Sequence, residues 1–255
     1  MTTIFIIFVT LIGLVIGSFL NCLIWRLYKD ETIGGRSYCP NCRQQIDWYD
    51  NIPVLSFMFL KAKCRHCHKP ISWQYPLVEI ATAILFLLAF LKDAPSAQFS
   101  FLLIRDWLLI VTLIIVFVYD LRWQLVPMNV VWSMCAVMFI LNILLGFSWI
   151  TIIISALAAA AFFFAQYILT NKKGLGEGDI WLGLLLGLAF PDLSQLLAIM
   201  VISYGIGAIV SLGLVLVNKK QRKSKIALGP FLASGAIITL IWGEQIINWY
   251  MSLFY

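Results

Sequence analysis

The sequence is short of charge. Asp, Glu, Lys and Arg make up 12% of its 255 residues, and the mean hydropathy of +0.94 excludes a water-soluble domain of ordinary composition. Histidine is scarcer still: there are two, both in one loop, so the apolar runs contain none. No basic residue precedes the first apolar run, where Met-Thr-Thr leads straight into Ile4. That argues against a cleavable signal peptide, and the first helix is expected to stay in the mature protein. No internal repeat suggests a transporter built from two halves. No Gly-rich phosphate or adenosine loop is visible, and no basic soluble domain is large enough to hold nucleic acid.

What remains is a membrane protein. Spanning helices need about 20 mostly apolar residues, and eight candidate runs are present: 3–25, 75–91, 100–119, 129–147, 149–169, 179–191, 195–217 and 226–250. The sixth is the shortest. Loops retained in the cytoplasm accumulate Lys and Arg. Of the 18 basic residues, 16 fall on one side under an eight-helix count: eight between Arg26 and Lys69, then Arg122, Lys172, Lys173 and the five of NKKQRKSK. Lys92 and Arg105 fall toward the other side. Both termini are therefore expected outside, and the net charge of +6 reads as this bias plus contact with anionic lipid in the bilayer. The expected fold is an all-α polytopic membrane protein of about eight transmembrane helices. A small cytosolic domain at 26–74 separates the first helix, 1–25, from a seven-helix membrane domain, 75–255. The pairs Gly13/Gly17 and Gly183/Gly187 have the spacing that lets helix backbones approach closely, although chance in a Gly-containing apolar segment gives the same pattern.

Two acids sit at one expected depth. Asp120 ends the third run in VFVYDLRWQLVPMNV, and Asp179 begins the sixth after the loop from Gly174 to Gly178. Acids at membrane depth are rare and tend to be functional. As separate residues each has a plainer reading: Asp179 as a helix N-terminal charge, Asp120 as a partner of Arg122. As a pair they can share one proton, the ionised member taking a proton from water while the other donates to a carbonyl oxygen. That chemistry suits spans without histidine. Glycines beside Asp179 let a substrate strand come close, and partly unwound backbone there is tolerable only if buried or wetted. A rival class is a transporter in which Asp120, Glu177 and Asp179 relay protons. A third reading makes the cysteine-bearing loop an assembly module on a membrane scaffold.

The residues around these acids carry a resemblance. Gly176-Glu177-Gly178-Asp179 is similar to the Gly-x-Gly-Asp fingerprint of the prepilin peptidases, intramembrane aspartic proteases of type IV pilus, type II secretion and competence systems. GSFLNCLIWRL (17–27), CPNCRQQIDWYDNIPVLSF (39–57), KCRHCHKPIS (63–72), YPLVE (75–79), YDLRWQLVP (119–127) and GPFLASG (229–235) resemble that family's segments in the same order. Ile-Ala-Leu before Gly229 departs from the family's more usual Ile-Pro-Phe, and Met128 precedes Asn129. The resemblance implies that Asp120 and Asp179 are catalytic, with Gly176, Glu177, Gly178, Gly229 and Pro230 supporting the site or the substrate. It implies a prepilin or pseudopilin substrate, cut after a glycine between a basic leader and an apolar helix at the cytoplasmic membrane face of a bacterium. It also implies methylation of the new amino terminus with S-adenosylmethionine.

Four of the six cysteines form two pairs in the long loop. Cys39-x-x-Cys42 and Cys64-x-x-Cys67 lie 21 residues apart, close to the spacing of four-cysteine zinc ribbons. A reducing cytosol disfavours stable disulfides, and so short a domain needs a staple. A zinc-ribbon-like insertion with structural zinc on these four thiolates is expected, with redox-active pairs or a metal-free loop as the alternatives. His66 and His68 read as loop residues or competing ligands. Cys22 and Cys135 read as small apolar residues in spans. Glu79, near the start of the second span, is expected either to pair with a loop Arg or Lys or to bind substrate.

Overall fold

In lipid every backbone N–H and C=O needs a partner within its own segment, so long aliphatic runs fold as helices. The computed structural model describes residues 2–93, 101–172, 174–217 and 227–253. Lys173 and the NKKQRKSK run lie outside the described residues, apart from what the sequence says of their charge. The order is α1 (Thr2–Lys29), a 3-10 turn (Trp48–Asn51), α2 (Leu55–Phe59), α3 (Gln74–Asp93), α4 (Phe101–Trp123), α5 (Met128–Leu144), α6 (Trp149–Leu169), α7 (Glu177–Ala189), α8 (Leu193–Leu216) and α9 (Gly229–Met251). The chain crosses a membrane several times.

Two expectations are corrected here. Each of the eight apolar runs contains a helix, but among the described residues six of these, not eight, are long and apolar enough to span. α5 has 17 residues and α7 has 13. α7 is cut short because Phe190 precedes Pro191, and a residue before proline is disfavoured in helical conformation; α5 starts behind Pro127 and is closed by Gly146 at φ +88°. The zinc-ribbon-like insertion is also absent. Among the described residues there is no β-sheet, only the single bridges Tyr38–Gln45 and Lys63–Pro70. Proline has no N–H to extend a ladder, so the second bridge stops at Pro70.

The chain divides into two compact units, Met1–Gln98 and Phe99–Tyr255. In the first, α1 and α3 run antiparallel. A Cβ on Gly13 would lie 2.5 Å from the Ala83 backbone, and one on Gly17 would lie 2.6 Å from that of Glu79. The small-residue spacing on α1 is therefore a packing seam. One turn further, Asn21 donates to the Tyr75 carbonyl at 3.1 Å and accepts from Gln74 at 3.2 Å. Buried Arg26, in the last turn of α1, donates to the five carbonyls from Thr32 to Arg36, which folds the following loop around its guanidinium. Glu79 is buried and accepts the Val54 N–H at 2.7 Å. One partner is thus a backbone amide, at a β-branched residue held at φ +61°, and the Ser18 side chain is another.

In the second unit, α4 packs on α9 and α5, α6 on α7, α5 on α7, and α8 on α9. Gly183 and Gly187 form the α6–α7 seam: added Cβ atoms would sit 2.3 Å from Phe163 and 2.4 Å from the Ser155 carbonyl. At the C-terminal end of α7, Asn142 donates to the Leu188 carbonyl at 2.7 Å and Ser155 to that of Pro191 at 2.6 Å. These side chains satisfy carbonyls that the helix end leaves open. Asn142 also accepts from Arg105 at 3.1 Å, and Arg105 pairs with Asp106 at 2.6 Å, all three buried.

Candidate active site and metal site

Three helix ends build the acid site. α4 carries Asp120 as its fourth-last residue; α7 carries Asp179 as its third; α9 begins at Gly229 with Pro230 next. Both carboxylates are buried. Asp120 Oδ2 accepts the Gly229 N–H at 2.9 Å, and Asp179 Oδ2 accepts the Gly176 N–H at 2.9 Å. The second is half of a capping box, in which an N3 carboxylate reaches back to the N-cap amide. Neither Oδ1 has a hydrogen bond among the described residues, so each acid keeps one oxygen open. Asp120 thus takes a glycine amide, while the Arg122 guanidinium lies over the Trp123 ring at 5.0 Å.

The glycines hold these ends together by what they lack. A Cβ on Gly178 would lie 2.6 Å from Val126 Cγ2, so the α7 entry and the segment after α4 touch where only a hydrogen fits. A Cβ on Gly229 would lie 2.5 Å from Asp120 Oδ2. Gly176 is exposed, with space for a Cβ 3.4 Å from Asp179 Oδ2. Pro230 is buried in the first turn of α9. Glu177 points elsewhere: it is exposed and accepts the Tyr167 hydroxyl at 2.7 Å.

Several neighbours are not evident from the sequence. Tyr204 on α8 donates to Gln166 on α6 at 2.7 Å. Val126 and Tyr167 bind the α7 entry from two sides. The available signal was a polar pair, Gln166-Tyr167, closing an otherwise apolar run. Trp132 and Trp181, each the fifth residue of its helix, meet edge-on at 5.5 Å. Tryptophan favours the membrane–water boundary, so this pair marks it about one turn from the acids.

The cysteines form a second site in the first unit. The Sγ atoms of Cys39, Cys42, Cys64 and Cys67 all lie within 4.8 Å of one another, and Cys39 and Cys67 are 3.9 Å apart. The two pairs have the same local form. Arg43 N–H donates to the Cys39 carbonyl at 2.8 Å and His68 N–H to that of Cys64 at 3.0 Å, and both donors have positive φ. The backbone N–H of Cys67 favours the Cys64 thiolate, against burial, and the His66 N–H assists; the thiol is held down to about 7. Sulfurs about 2.3 Å from one tetrahedral ion would stand about 3.8 Å apart, so the cluster can hold a metal. Asp50 and Arg65 brace it with paired bonds of 2.6 and 2.7 Å, and the guanidinium keeps the Asp50 carboxyl below its ordinary range.

Comparison with known proteins covers both units. Residues 11–92 match the Bacterial Peptidase A24 N-terminal domain, and 107–212 match the Type IV leader peptidase family. The chain is 33% identical to the prepilin leader peptidase/N-methyltransferase of Aeromonas hydrophila over 276 residues, covering 96% of this chain and 93% of that one. It is 31% identical to the protein of that name from Legionella pneumophila, over 95% of this chain and 93% of the relative. The Bacillus subtilis (strain 168) counterpart is also 31% identical, over 94% and 96%. No solved structure matches the chain significantly.

Proposed function

Because the chain belongs to the type IV leader peptidase family, we propose that it removes the leader of prepilins or pseudopilins, with Asp120 and Asp179 as the catalytic pair, and N-methylates the new amino terminus. The observation that carries the site assignment is the symmetry of the two acids: each has Oδ2 tied to a glycine amide and Oδ1 open. One carboxylate takes a proton from a water molecule as the water oxygen attacks the carbonyl carbon of the leader's last glycine. The other, protonated, donates to the carbonyl oxygen. When the tetrahedral intermediate collapses, the C–N bond breaks, the proton held by the first acid passes to the leaving amine, and the second acid recovers its own.

Gly229 and Gly176 are positioning residues, since their amides fix which oxygen of each acid turns inward. The leader is presented from the cytoplasm, a reading supported by the Lys and Arg clustered in the loops at the acid-bearing helix ends. Zinc suits the four thiolates, which would hold it as a closed structural site and couple its binding to folding of the loop. Methyl transfer from S-adenosylmethionine comes with the family, and no described residue is assigned to it. A proton-relay transporter would string acids along a crossing path, whereas Asp120 and Asp179 each lie within four residues of a helix end. Asp120→Asn and Asp179→Asn in reconstituted enzyme should each abolish cleavage of a prepilin sized on a gel, with insertion unchanged. Full cleavage by either variant refutes the pair.

A further inference from the structure

The short helix α2 carries three large apolar side chains that the protein leaves open. Leu55 is 51% exposed, Met58 67% and Phe59 82%. A soluble loop of this size has no reason to present them to water. Two contacts place α2 beside the start of α3. Val54, its N-cap, donates to Glu79 Oε2 at 2.7 Å, and buried Phe57 packs edge-on against Trp73 at 4.9 Å. Beyond α2, Ile71 N–H donates to the Ala62 carbonyl at 2.7 Å. Residues 54, 57 and 62 therefore meet 79, 73 and 71 in turn, and the segment climbs alongside the first turns of α3 and the approach to it.

That climb sets a depth. α3 has 20 residues, about 30 Å at 1.5 Å per residue, which is the full thickness of a hydrocarbon core of about 30 Å. Glu79 is its sixth residue, about 7.5 Å along the axis. Its side chain leans back toward the helix N-terminus, which leaves Val54 within the first two turns. Leu77, in the same turns, is itself an exposed apolar residue of the spanning helix α3. The apolar side chains of α2 thus share the level at which α3 enters lipid. Past them, Lys61 and Lys63 are exposed and make no ion pair among the described residues. The order from apolar to cationic follows the order from acyl chain to headgroup.

We propose that Leu55, Met58 and Phe59 sit in the acyl-chain boundary of the bilayer that α1 and α3 cross, with Lys61 and Lys63 on the headgroups of anionic phospholipid. The four-cysteine loop is then held to the membrane surface along its own length as well as by the helices at its two ends. Charge complementarity and continuity with the lipid face of α3 single out lipid over a protein partner.

The test uses the full-length protein in vesicles containing traces of phosphatidylglycerol or phosphatidylcholine that carry a diazirine near the carboxyl end of one acyl chain. After irradiation, lipid adducts are mapped by peptide mass spectrometry. Adducts on residues 55–59, beside those on α1 and α3, are the expected result, with phosphatidylglycerol preferred. Lys61→Gln should lower that preference about fivefold, the worth of one cation near an anionic surface. A Met58→Ser, Phe59→Ser double variant should lose adducts at 55–59 and keep those on α3, which separates loss of contact from loss of fold. Adducts confined to α1 and α3 in the unaltered protein overturn the proposal. So does cross-linking of residues 55–59 to the 99–255 unit or to a second copy of the chain.

Discussion

Gly229→Ala tests the acid site without touching an acid. The new Cβ would start 2.5 Å from Asp120 Oδ2 and 3.2 Å from its carboxyl carbon. Ordinary contact begins near 3.4 Å, so the carboxylate or the α9 backbone must give by about 0.9 Å. The hydrogen bond that pins Oδ2 to the Gly229 amide at 2.9 Å is lost or bent in the process. A bond to a charged acceptor is worth about 1.5–3 kcal/mol. A misplacement near 1 Å at reacting groups costs about a hundredfold in rate. We therefore expect kcat for prepilin cleavage to fall about a hundredfold, with KM within about twofold because the substrate's remote contacts are untouched. The control is Gly205→Ala on α8, where an added Cβ meets nothing within 4 Å. Both variants are assayed in lipid vesicles after their membrane insertion is shown equal. Near-normal kcat in Gly229→Ala, or an equal loss in Gly205→Ala, refutes the argument from oxygen placement.

Further outcomes follow from the other buried and charged groups. Elemental analysis of protein purified without chelator should find about one metal per chain, and Cys39→Ser or Cys64→Ser should release it; full retention in both removes these thiols from the ligand set. Asp50→Asn should loosen the loop at neutral pH. The folded carboxyl is depressed, so its stabilisation is present above the unfolded value near 4 and lost as pH falls through the folded one. Hydrogen exchange over residues 47–67 should therefore distinguish the variant from the parent at pH 7, the difference shrinking as pH falls through the depressed value of the folded carboxyl. Asn142→Leu strands the Leu188 carbonyl and one bond of the buried Arg105, and should cost about 2 kcal/mol, read as a lower unfolding temperature in detergent.

Much of this architecture is legible because hydrophobicity has one meaning in a membrane. Apolar runs become helices, and their boundaries fall within a few residues of those observed, since Pro and Gly punctuate them. The glycine pairs 13/17 and 183/187 read equally as packing or chance, and the contacts with Ala83 and Ser155 decide for packing. Length was the weaker signal. Residues 129–147 read as a full span because Leu145 to Phe147 continue the apolar run, yet Gly146 has already turned the chain. The cysteine spacing correctly brings four sulfurs together but says nothing about strands, and Pro70 stops the pairing a ribbon would need. Glu79 was read as a partner for a cation or a substrate. One of its donors is a backbone amide, and every residue but proline has one, so no sequence pattern could single out Val54. The Arg105–Asp106–Asn142 cluster was equally hidden, because Arg105 counts in the sequence as one charge in a topology tally.

The brevity of α7 has a consequence for where water can go. At 1.5 Å per residue its 13 residues reach about 20 Å, and the 17 of α5 about 26 Å, against a hydrocarbon core of about 30 Å. Such a mismatch is met by local thinning of the bilayer. Asn142 and Ser155 anchor the far end of α7, so the shortfall opens at the end that carries Asp179. Solvent then reaches Asp179 across a thinned stretch of bilayer, and a hydrolase embedded in oil acquires its second reactant from a dimple in the membrane.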